Sequence, residues 1–254
     1  MNFRKVIKIT LLIGITLFIY SYFQKDNLPP KDEILPEFYQ APLQTETHTS
    51  SFKIEQGGII YDITPLFNYE LYGLVVSYHH SESWLDYYHE RWKDFINLKD
   101  ICVIWGSNIE TGIYKDLKFS NGSFTCYIDF KRGINRQATV EKFRGDALSN
   151  NHLLAISNQI SQEIMRTEDG DQIYLKGYLV EYSHDNKPPR KTSTTRTDQG
   201  NGACETIYLT DFKILKRVNN FWRSVNIFSK YFIIASIILL IIFNYFLYKG
   251  RNNF

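Results

Sequence analysis

An uninterrupted apolar run, Tyr231 to Tyr248 (YFIIASIILLIIFNYFLY), constrains this chain more than any other feature. It holds no charge, is bounded by Lys230 on one side and by Lys249 and Arg251 on the other, and has Tyr and Phe at both ends, as interfacial aromatics do. It has no polar face, so it reads as a membrane span and not as the core helix of a soluble fold. A second apolar segment, Val6 to Phe23, follows Arg4 and Lys5. At 1.5 Å per residue it reaches about 27 Å, enough to cross a bilayer core. Tyr20-Ser21-Tyr22-Phe23 lacks the small residues of a signal-peptide cleavage site, which predicts an uncleaved anchor.

Two spans put both termini on one side. Arg4 and Lys5 at the first span predict a cytoplasmic N-terminus and an extracytoplasmic central domain, although Lys213, Lys216, Arg217, Arg223 and Lys230 crowd the domain side of the second span. The expected order is a cytoplasmic N-terminus (1–5), a transmembrane helix (6–23), a linker (24–50), a β-rich soluble domain (51–218), an interfacial helix (219–230), a second transmembrane helix (231–248) and a cytoplasmic tail (249–254). Pro29, Pro30, Pro36 and Pro42 are what mark the linker. The expected location is the inner (plasma) membrane, with the main domain outside the cytoplasm.

The 29 basic and 27 acidic residues nearly cancel, which leaves no concentrated basic face for nucleic acid. The 18 Tyr, 18 Phe and 4 Trp alternate in many places with polar residues, as in half-buried strands. Gly57-Gly58 predicts a hairpin turn between Ser51–Glu55 and Ile59–Ile63. Further strands are predicted at Leu71–Tyr78, Ile101–Trp105, Lys115–Phe119, Ser123–Phe130, Gln172–Ser183 and Glu205–Leu215, with Gly177 marking a bulge or bend. Residues 131–152 read as polar and turn-rich, and Ala155–Arg166 as a helix. The fold class is α+β and β-rich, an antiparallel barrel- or sandwich-like extracytoplasmic domain flanked by two transmembrane helices. The helix followed by a Gly-bent strand is similar to small OB-like barrels, an analogy that carries no function.

GDQIYLKGYLVEY (Gly170 to Tyr182) and STTRTDQGNGACETIYL (Ser193 to Leu209), with DICVIWGSN (Asp100 to Asn108) and SNNHLLAISNQI (Ser149 to Ile160) upstream, resemble a group of uncharacterised bacterial membrane-anchored proteins. The GDxIxLKGYLV and TRTDxGNGACE motifs carry the likeness, which spans most of residues 59–210. It implies a bacterial, membrane-anchored protein and transfers no activity.

Three cysteines, Cys102, Cys126 and Cys204, allow one disulfide in an oxidising compartment. Cys126 with Cys204 is the expected pair, since both sit beside turns; Cys102 with Cys126 is its rival, and three unpaired, partly buried thiols are the remaining alternative. The loop His184–Ala203 brings Arg196 and Asp198 beside Gly200 and Gly202, a composition suited to a phosphate, carboxylate or sugar or to a local ion pair. With the turn Trp105-Gly106-Ser107-Asn108 it is the expected ligand contact, on Arg196, Asp198, Trp105 and Asn108. Cys204 or Ser193 with His152 and with Asp198 or Glu205 supplies the residue types of a nucleophilic site, without a G-x-S-x-G elbow or a Cys-His signature. His79, His80 and His89 lie near Glu82, Asp86 and Glu90, but adjacent histidines on a strand point to opposite faces. No metal and no cofactor is expected.

The expected function is a membrane-tethered binding or interaction domain of the bacterial cell envelope. The alternatives are an envelope hydrolase using Cys204 or Ser193 with His152, and a subunit of a larger membrane complex. The expected partners are the lipid bilayer and another membrane protein or envelope component, with no nucleic acid.

Overall fold

The computed structural model describes residues 3–81, 87–122, 124–185, 187–198 and 203–251. The chain divides into two units: the terminal segments Met1–Asn27 with Val218–Phe254, and the domain Leu28–Arg217.

The terminal unit is a pair of helices, α1 (Phe3–Gln24) and α6 (Asn220–Arg251), both long and apolar enough to cross a membrane. They meet at small and polar residues. A Cβ on Gly14 would stand 3.1 Å from Phe232 Cδ1, and Asn226 Nδ2 donates to Ser21 Oγ at 3.1 Å. Tyr20 packs edge-on against Trp222, 5.0 Å between ring centres. Helix α6 takes in both the predicted interfacial segment and the predicted span without a break.

In the domain the strands are β1 (Leu43–Glu46), β2 (Phe52–Gln56), β3 (Ile59–His80), β4 (Asn97–Ile104), β5 (Leu117–Gly122), β6 (Thr125–Phe130), β7 (Leu148–Leu154), β8 (Gln172–Ser183) and β9 (Glu205–Lys216). Short helices α2 (Tyr87–Trp92), α3 (Ser107–Glu110), α4 (Arg136–Lys142) and α5 (Asn158–Met165) lie between them. Among the described residues β5 and β6 form a separate hairpin, and the other seven strands form one sheet. The β2–β3 turn forms where expected, with Gly57 and Gly58 at φ 60° and 76°, values that glycine adopts without a steric penalty.

Strand β3 organises the sheet. It runs through the predicted strands at 59–63 and 71–78 as a single 22-residue element. Its first two-thirds pair with β8 and its end with β4, with register irregularities at Pro65/Phe67 and Val75/Ser77. From β4 the pairing passes to β7, then in parallel to β9, and antiparallel to β8. The antiparallel arrangement expected of the domain is therefore corrected to a mixed sheet, because β7 and β9 run parallel. A parallel step needs a crossover between its strands, and α5 and β8 supply the chain between β7 and β9. Gly177 sits at a register shift against β9, as predicted.

Three further expectations are corrected. The 24–50 linker ends at Asn27, because Ile34 and Phe38 are buried in the domain and β1 pairs with β3. Tyr114 Oη donates to Pro29 O at 2.8 Å, and the Gly106 amide to Phe38 O at 2.8 Å. Proline blocks long helices and strands but does not prevent packing. Residues 131–152 hold α4 and the buried strand β7, whose polar SNNH run is hydrogen-bonded within the fold. The predicted helix at Ala155–Arg166 is shorter, beginning at Asn158.

One face of the sheet covers a core that includes Val75, Ile101, Val103, Leu153, Ile164 and Ile207. The opposite face of β3 and β4 presents Leu74, Val76, Cys102 and Ile104 beneath Phe38 and Tyr114. Cys102 is bonded to Cys126, which fastens the β5–β6 hairpin over this face. The expected Cys126–Cys204 disulfide is thus replaced by its rival, and Cys204 keeps a free thiol. The reason is alternation along β4: Cys102 points away from the inner core and toward the hairpin.

Candidate active site

Sheet register assembles the site. On β4 and β7, Asp100 faces His152 and Cys102 faces Asn150. Residues two apart on a strand share a face, so all four side chains stand on the hairpin side. The parallel pairing of Asn151 with Glu205 brings the preceding residue, Cys204, beside Asn150. A cleft of about 500 Å³ opens here, lined among others by Phe124, Ile128, Phe143, Asn150, His152 and Cys204.

His152 Nδ1 donates to Asp100 Oδ1 at 2.7 Å, and both side chains are almost fully removed from solvent. Burial works against a charged imidazole, but the Asp100 carboxylate, by charge and by hydrogen bond, and then Cys204 outweigh it and raise His152 to about 10. Burial likewise opposes the Asp100 anion. His152, with smaller contributions from His89 and Asn97, more than offsets it and holds the carboxyl below its usual range. Asp100 also accepts from Asn97 Nδ2 (3.3 Å) and from the Phe124 amide (3.3 Å). Asn97 Nδ2 in turn lies 2.9 Å from His89 Nε2. The carboxylate is thus fixed from three sides, and the imidazole ring is fixed by the carboxylate.

The sulfur of Cys204 has its own surroundings. The thiol donates to Phe124 O at 3.5 Å, and Asn150 Nδ2 approaches Sγ to 3.8 Å. Asn150 is oriented by Asn121, whose Nδ2 donates to Asn150 Oδ1 at 2.7 Å, and Asn121 Oδ1 accepts from Ser77 Oγ. That chain turns the amide nitrogen of Asn150 toward the sulfur. Phe124, at φ 67°, packs against the rings of His89 (4.7 Å) and His152 (5.6 Å). A half-buried thiol, an imidazole held by a buried carboxylate and a positioned amide donor are the parts of a nucleophilic acyl-transfer site.

The residues expected from sequence divide sharply. Cys204 and His152 come together as expected. Asp198 lines the same cleft, but it accepts from Ser193 Oγ at 2.5 Å, and the partner of His152 is Asp100. Ser193 is buried in that contact and Glu205 is held by Arg196, so neither serves His152. Arg196 was an expected ligand contact, but its guanidinium is committed to Glu205 Oε1 at 2.6 Å and lies over the Tyr69 ring. Burial still pushes Glu205 up to about 7, against the pull of Arg196. Trp105 and Asn108, the other expected ligand contacts, are buried. Asn108 braces the loop before β7 through Arg144 O and Ala147 O. Gly200 and Gly202 lie outside the described residues, as do Glu82 and Asp86 of the histidine-rich segment. Among the described residues no group of three His, Cys, Asp or Glu side chains is arranged to hold a metal.

Sequence reasoning missed Asp100, Asn150, Asn121 and Ser77. Asp100 left a signal: an acidic residue two positions before Cys102, at the start of an apolar run, must find a buried partner. No family model, no curated protein and no solved structure matches this chain.

Proposed function

We propose that this chain is a membrane-anchored, cysteine-dependent acyl-transfer enzyme, a hydrolase when water is the acceptor. One observation carries the reading: Cys204, His152 and Asn150 line one cleft, with Asn150 at the sulfur and Asp100 buried behind the His152 ring. In the reactive form the thiol proton rests on His152, and Asp100 stabilises the imidazolium. Sγ attacks the acyl carbonyl carbon and forms the C–S bond. The oxyanion takes a hydrogen bond from Asn150 Nδ2. Collapse breaks the bond to the leaving group, which departs with the proton from His152. Water then attacks the thioester and gives its proton to His152, releasing the acid and restoring Cys204.

Placement outside the cytoplasm of a bacterial cell belongs to the same proposal. The Cys102–Cys126 disulfide supports it, since such bonds persist in oxidising compartments. The bacterial, membrane-anchored group that the sequence resembles and the two apolar helices favour the plasma membrane, with the bilayer as partner.

The test is hydrolysis of p-nitrophenyl acetate by the full chain in detergent, with mass spectrometry of the acylated protein. Cys204→Ala abolishes both turnover and the adduct, and His152→Gln lowers turnover by about 10³-fold or more. Undiminished turnover in Cys204→Ala, or a protein that never acylates, overturns the proposal and returns the domain to a binding role or to a subunit of a larger complex.

A further inference from the structure

The cleft at Cys204 does not end at Cys204. A second cavity of about 580 Å³ adjoins it, and the two share Ile128, Phe143 and Gly145 as walls. The extension is lined by Leu117 and Phe130 as well as Ile128 and Phe143, and by Val140 on the exposed side of α4. Its two charged wall residues neutralise one another. Arg144 Nη2 and Nε donate to Asp146 Oδ2 and Oδ1 at 2.7 and 3.0 Å. The Thr139 hydroxyl is spent on Asn135 O. Ile128 is 37% and Val140 61% exposed, so apolar wall is left open to water. Such surface gains by being covered with something equally apolar.

We infer that this trough holds the hydrocarbon chain of the acyl group, and that the substrate is a fatty-acyl ester of a membrane lipid. The inference rests on the acyl-transfer reading of Cys204 and adds the identity of the acyl group. A linear chain suits the trough because it has no polar atoms to satisfy away from its carbonyl end, and that end must lie at Sγ. Among the described wall residues Arg144 and Asp146 are paired with each other and Thr139 is bonded to Asn135 O; Thr197 is the further polar side chain, against Leu117, Ile128, Phe130, Val140 and Phe143 on the apolar side. The two apolar helices anchor the enzyme in the phase where such chains are found.

The experiment compares kcat/KM for p-nitrophenyl octanoate and p-nitrophenyl acetate on the full chain in detergent, for wild type, Val140→Glu, Ile128→Glu and Cys204→Ala. The readout is the octanoate-to-acetate ratio within each protein, so a loss of folded enzyme cancels, and partitioning into micelles affects all variants alike. The wild-type ratio exceeds that of either glutamate variant at least tenfold, from several methylenes buried in the trough. Equal ratios, with hydrolysis of both esters still dependent on Cys204, overturn the acyl-chain inference and leave the triad standing. Hydrolysis of both esters that persists in Cys204→Ala overturns the triad and this inference with it.

Discussion

Replacing Asp100 with Asn keeps the size and the acceptor oxygen at the His152 ring but removes the charge. In the wild type His152 is raised from 6.5 to about 10 in spite of its burial. At about 1.4 kcal/mol per pH unit, this favours the folded protein with a charged His152 by roughly 5 kcal/mol. A raised histidine adds stability fully below its unfolded value near 6.5, and that stability is lost as pH rises through about 10. The wild type should therefore lose stability steadily between pH 6.5 and 10. Without the carboxylate, burial is left as the dominant influence and drives the imidazole below 6.5. Asp100→Asn then shows no such decline. For a domain of this size each kcal/mol moves Tm by about 2–4 °C, so the two Tm-against-pH curves should converge by about 10–20 °C across the window. Thermal unfolding of the full chain in one detergent, followed by tryptophan fluorescence from pH 6 to 10, reads it directly. Parallel curves would refute the claim that a buried Asp100 carboxylate holds His152 charged. The acid side offers a companion check: Asp100 is lowered, so its contribution is present above its unfolded value and disappears as pH falls below it.

Two further outcomes follow from the geometry. Asn150→Ala removes the amide donor at Sγ and should lower kcat by about 10²–10³-fold with KM little changed, measured as steady-state ester hydrolysis. Gly177→Ala would place a Cβ on top of the Tyr208 carbonyl, so it should cost at least about 2 kcal/mol, seen as a lower Tm, with the pH dependence of the remaining folded enzyme unaltered.

The β2–β3 hairpin, β8 with its Gly177 bulge, β9 and the two apolar helices were legible because each depends on a local pattern of period, turn glycine or unbroken hydropathy. The Pro-rich stretch and the SNNH strand misled for the opposite reason. Ile34, Phe38 and Asn151 are placed by distant partners, and a buried polar strand lacks the apolar run that announces one. At the site, Cys204 and His152 could be nominated by residue type, since few side chains do nucleophilic chemistry. Their third member could not. Asp198 and Glu205 are close to Cys204 in sequence, but Asp100 lies 52 residues from His152 and reaches it only through the pairing of β4 with β7. The correct disulfide was hidden in the same way, since Cys102 looks like one more buried apolar residue until the hairpin is laid over it.

Strand β7 carries both the amide that faces the sulfur and the base, two residues apart; its neighbour β4 presents the carboxylate, and the residue just before β9 presents the thiol. In a sheet, a shift of one residue turns every side chain of a strand to the other face. The site is therefore indivisible under insertion or deletion. One residue gained or lost within β7 would swing Asn150 and His152 inward together and bring Ser149 and Asn151 out. A turn can gain a residue and leave that register untouched, but β7 tolerates only substitution if the chemistry is to survive.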